Sequence, residues 1–137
     1  MDNKLKQKIV ACKLPVSVEK TTPVNDINLL LDDGYEVEDI VPYLEKRGGG
    51  IYSRSHGLYV DNALVILKQS EKKTHFSCRT VKKEPSFLEK MNDIVECENN
   101  NGLNLFKIMP LCGFLDPEAG QGIGKGTFAF ELFFVSE

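Results

Sequence analysis

The chain has no tryptophan, only two histidines and no Cys-x-x-Cys pair, and each scarcity closes off a class of function. With His56 and His75 as the only imidazoles, and Cys12, Cys78, Cys97 and Cys112 scattered, the ligand spacing of a zinc site is missing. The four thiols read as reduced and mostly buried. No run of about 18 apolar residues occurs, so no membrane-spanning helix is expected. The charged opening Met-Asp-Asn-Lys-Leu-Lys-Gln-Lys, followed by a stretch broken at Lys13 and Pro15, leaves no room for a secretory leader, and the expected address is the cytoplasm. A basic excess is lacking too. Lys and Arg number 17 against 20 Asp and Glu, for a net charge of -3, which speaks against a duplex nucleic-acid binder, because such proteins neutralise many phosphates. Neither histidine sits in a nucleophile motif, and Ser55 beside His56 in sequence does not bring its hydroxyl within reach of that ring, so no enzyme is expected. No cofactor is implied.

What is present is enough for one folded domain. At 137 residues and 42% hydrophobic composition, the chain can bury a core without a disulfide or metal staple. Its organisation is an internal repeat. Gly34 and Gly102 stand 68 apart, and Ile40-Val41-Pro42 and Ile108-Met109-Pro110 keep that spacing. Asn25-Asp26-Ile27 and Asn92-Asp93-Ile94 are 67 apart; Cys12 and Cys78, 66 apart, read as matching strand positions. The first repeat covers 8–68 and the second 75–135.

Each repeat reads as β-α-β-β. Pro23 and Pro85 suit first helical turns, with Thr22 and Ser86 near the N-caps. Ile27, Leu30 and Leu31, then Phe87, Met91, Ile94 and Val95, make one apolar face per helix. Gly34 and Gly102 suit left-handed helix stops. Strands follow from Tyr35 and Leu103, and Pro42 and Pro110 end them or mark an edge. Ala63 to Leu67 and Thr127 to Val135 are apolar enough to predict strands covered on both faces. The expected fold is therefore α+β, two tandem β-α-β-β repeats forming a pseudo-twofold sheet with both helices on one face. The aromatic last strand is either core or the interface of a homo-oligomer.

The run from Asp26 through Leu29-Leu30-Leu31-Asp32-Asp33-Gly34-Tyr35-Glu36-Val37 to Pro42, closing in Ala63-Leu64-Val65-Ile66-Leu67-Lys68, resembles a short bacterial and phage domain-of-unknown-function family. In that family a helix of the form Leu-Asn-x-Leu-x-x-x-Gly leads into Trp-Glu-Leu-Val-x-Val and an apolar strand ending in Lys or Arg. The resemblance covers about residues 8–68, with a weaker copy over 75–135. Tyr35 stands where the family carries Trp, and Leu103 departs further. It implies a small β-α-β-β unit and carries over no catalytic residue.

Two glycine-rich segments hold the candidate chemistry. Gly120-Gln121-Gly122-Ile123-Gly124-Lys125-Gly126-Thr127 is not a phosphate loop, since Ala119 occupies the first glycine position and a strand follows instead of a helix. It reads first as a surface loop joining two strands, and its length and glycine content offer a binding or lid role as the alternative. Residues 47–59 gather Arg47, Tyr52, Arg54, His56 and Tyr59 among glycines and serines. Guanidinium forks match phosphate or carboxylate, tyrosine rings stack, and glycine lets backbone N–H groups approach. With Arg79 and Lys125 these residues form the expected ligand site for a small anionic ligand, such as a nucleotide-type signal. The same composition serves protein-binding loops. The alternative is therefore a protein-protein interaction module, an inhibitor or adaptor of the kind phage-borne proteins use against host defence.

Overall fold

The computed structural model describes residues 6–13, 22–47, 57–115 and 126–136. Eight elements alternate in the expected order: β1 (Gln7–Lys13), α1 (Thr22–Asp32), β2 (Tyr35–Arg47), β3 (Gly57–Gln69), β4 (Phe76–Lys82), α2 (Phe87–Asn100), β5 (Leu103–Leu115) and β6 (Gly126–Ser136). Both helices stop where glycine permits a positive φ, 97° at Gly34 and 82° at Gly102. At the start of α2 the expectation needs correcting. Pro85 precedes the helix, and Ser86 at the N-cap is left-handed with no side-chain capping bond.

The strands form two antiparallel three-stranded units, β1-β3-β2 and β4-β6-β5, in each of which the last strand of the half lies in the middle. A short ladder between Gly57–Val60 of β3 and Cys112–Leu115 of β5 joins them. Pro42 and Pro110 do not end their strands. They sit inside β2 and β5, opposite Ala63 and Phe130, where a missing N–H is tolerated on the side away from the ladder. Register breaks occur between Val37 and Asp39 and between Tyr43 and Leu44 in β2. In β5 they fall between Leu105 and Lys107 and between Leu111 and Cys112.

β6 is central, and it is buried on both faces because its apolar residues are continuous rather than alternating. Ala129 and Phe133 join Ile27, Leu31 and Tyr35 of the first half, with Phe76 stacked on Phe133 at 5.9 Å between centroids. Leu132 and Phe134 join Met91 of α2, and Phe87 stacks on Phe130 at 5.3 Å. The helices therefore lie on opposite faces of β6, not on one face as the repeat predicted. A strand apolar on both faces needs two covers, and the first half supplies one of them. β3 is less covered than its composition suggests. Ala63, Val65 and Leu67 are buried, whereas Leu64 and Ile66 are only half-buried on a face shared with Ile9 (63% exposed) and Val41.

Candidate functional site

Two regions stand at opposite ends of β2 and β5. At one end stand the roots of the glycine-rich segments. Arg47 pairs with Gly57, Gly57 pairs with Leu115, and Gly113 pairs with Gly126, so both segments leave the sheet side by side. Tyr59 lies in β3 opposite Glu45 and Gly113. Tyr52, Arg54, His56 and Lys125 fall outside the described residues, as do the side chains of Arg47 and Tyr59. Arg79 is elsewhere. It points to the α2 side of β4, where its guanidinium donates to Glu98 Oε1 at 2.7 Å.

At the other end, a cleft of about 600 Å³ opens between the beginnings of β2 and β5. Glu36 and Val37 form one wall and Asn104, Leu105 and Phe106 the other, with Lys72, Thr74, Val135 and Ser136 completing it. The walls are tied beyond the cleft by Lys107, whose ammonium lies 3.1 Å from Asp39 Oδ1 and also donates to the Ile40 carbonyl. That ammonium, with the Ile40 N–H, holds the Asp39 carboxyl below its usual value. Asp39 and Lys107 stand 68 apart, as do Glu36 and Asn104, and Val37 and Leu105.

The electrostatics of the cleft are lopsided. Desolvation opposes ionisation of Glu36, but the Ser70 hydroxyl and the Lys68 ammonium, 2.9 and 3.1 Å from its oxygens, together with Lys72 hold its carboxyl below the usual range. Glu36 is thus already neutralised. Among the described residues Lys72 has no ion-pair partner within 4.0 Å, and the Thr74 hydroxyl is out of solvent with no hydrogen-bond partner. Phe106 is 40% exposed. The sequence pattern did not mark this cleft. Lys72 reads as a solvated hairpin charge, and Phe106 continues an apolar strand until the register break turns it outward.

A second group of titratable side chains lies in the core. Glu131 is fully buried, accepts a hydrogen bond from the Thr80 hydroxyl through Oε2, and leaves Oε1 unpartnered. Burial raises its pKa to about 7, with Thr80 opposing. Burial and Glu131 push the Cys12 thiol up to about 12, and burial, Glu131 and Cys12 raise Cys78. Cys97 is exposed on α2, whereas Cys12 is buried and Cys78 half-buried. Ala63, opposite Pro42, faces Cys12, and Phe130, opposite Pro110, faces Val81, so by register Cys12 corresponds to Val81 and not to Cys78.

Among the described residues no group of three His, Cys, Asp or Glu side chains is placed to hold a metal ion, and no helix is long and apolar enough to cross a membrane. No protein-family model, curated protein or solved structure matches this chain.

Proposed function

We propose that the protein is a non-catalytic binding protein that captures a small anionic ligand, such as a nucleotide-type signal, between its two glycine-rich segments. The observation that carries this reading is the pairing of the segment roots through Gly57 and Leu115, which starts both segments from one place. Arg54 and Arg47 supply guanidinium forks, Tyr52 and Tyr59 stacking faces, His56 a further polar contact, and Lys125 a cation from the second half. Arg79 is engaged instead by Glu98.

The chain is a tandem repeat in this reading, with the resemblance of 8–68 to the β-α-β-β family extending to 75–135. Its support is the 68-residue spacing kept by the strand irregularities of β2 and β5 and by the pair Asp39 and Lys107. Contact between equivalent positions is what a twofold axis produces.

Titration calorimetry of mono-, di- and cyclic nucleotides against the wild type and Arg54→Ala tests the function. Binding is expected for one class, weakened about tenfold or more by the substitution with an unchanged melting temperature. Absence of heat with every member rejects the reading. A protein-interaction module is the second reading, favoured by the apolar face of Ile9, Leu64, Ile66 and Val41.

A further inference from the structure

We infer that the cleft between β2 and β5 is a second binding site, for a small monocarboxylate with an apolar or aromatic body. The inference uses no part of the glycine-rich segments, which leave the opposite ends of the same strands.

Three observations select this ligand. The cleft, about 600 Å³, has the size of a small-molecule site, and Val37, Leu105, Phe106 and Val135 share its lining with polar residues, so its occupant has an apolar body with a polar end. Glu36 carries one negative charge against the two ammonium groups of Lys68 and Lys72, so one positive charge is left in excess, which matches a single negative charge. Thr74 stands in the cleft wall with its hydroxyl withdrawn from water and unpartnered among the described residues, a costly state that is relieved when a bound acceptor draws the hydroxyl round toward the cleft. A carboxylate supplies both needs at once: one oxygen accepts from the Lys72 ammonium and the other from Thr74. The Asn104 amide stands on the facing wall as a further donor. A phosphate dianion would carry a second charge, for which the described residues of the lining offer no second cation in excess. Neutral amides would leave Lys72 unmatched.

The test is calorimetric titration of the full chain with phenylacetate and octanoate, beside phenylacetamide, octanamide and phenyl phosphate. The acids are expected to bind about tenfold or more tightly than their amides, the discrimination expected of one charge-assisted contact. Lys72→Gln should abolish the preference of acid over amide, a change that mere loss of fold would not produce. Phe106→Ala should weaken acid and amide alike. Thr74→Val should weaken the acids while leaving the melting temperature unchanged or higher, because it removes an orphaned hydroxyl. Arg54→Ala should have no effect, which separates failure here from failure of the nucleotide reading. Equal binding of acids and amides, no binding of either, tighter binding of phenyl phosphate, or an undiminished acid preference in Lys72→Gln would each overturn the inference.

Discussion

The side-chain amide of Asn28 on α1 holds both backbone groups of Phe76, the first residue of β4: Nδ2 donates to the carbonyl at 2.8 Å and Oδ1 accepts from the N–H at 2.8 Å. One side chain thus supplies a rung of sheet pairing at the edge of the second half from a helix of the first. Phe76 is fully buried and stacks on Phe133, so the bond fixes an aromatic of the shared core.

Replacing Asn28 with alanine leaves a backbone donor and an acceptor unpaired at a partly buried place. The expected cost is about 2 kcal/mol in urea unfolding. Asn28→Asp keeps the acceptor for the Phe76 N–H but sets a carboxylate oxygen against the carbonyl, and should recover little of it. Amide exchange at Phe76 should accelerate most in Asn28→Ala, which removes the acceptor of its N–H, and unchanged protection there would show that the bond is not what closes the β4 edge.

Glu131 makes stability fall as pH rises. Its folded pKa of about 7 lies above the ordinary 4.5, so between these values the folded chain keeps a proton that the unfolded chain has released. The stabilisation is fully present below the unfolded value, is lost progressively as pH climbs, and is gone above 7. The difference amounts to about 3 kcal/mol. Chemical denaturation from pH 5 to 8 should show this decline, and Glu131→Gln should flatten it, raising stability at pH 8.

Arg79→Ala should lower stability by about 1 kcal/mol, since Glu98 is largely buried and loses its 2.7 Å partner, while the exposure of Arg79 itself limits the effect. Arg79→Ala combined with Glu98→Gln should recover part of the loss. If Arg79→Ala instead weakens nucleotide binding with the melting temperature unchanged, Arg79 belongs to the ligand site.

Thiol labelling at pH 8 should distinguish the cysteines. Cys97, exposed on α2, is expected to react at once, whereas Cys12, whose thiol is pushed up to about 12, and Cys78, also raised, wait for unfolding. Rapid modification of Cys12 in the native chain would contradict its burial against Glu131.

The order of elements, the two helix stops and the buried helix faces were legible in the sequence because each depends on residues a few positions apart. Glycine at 34 and 102 permits the positive φ; Ile27 with Leu31, and Phe87 with Met91, repeat at the helical period. A strand's burial is a different kind of quantity. Leu64 and Phe133 stand in equally apolar runs, yet one is half-buried and the other fully buried, since the first half covers β6 and none of the described residues comparably covers the outer face of β3. The same holds for Glu131, Phe106 and Lys72, whose surroundings include strands distant in sequence. Only the tertiary structure decided them, because which faces meet depends on how the two halves dock, and docking pairs surfaces that no local period records.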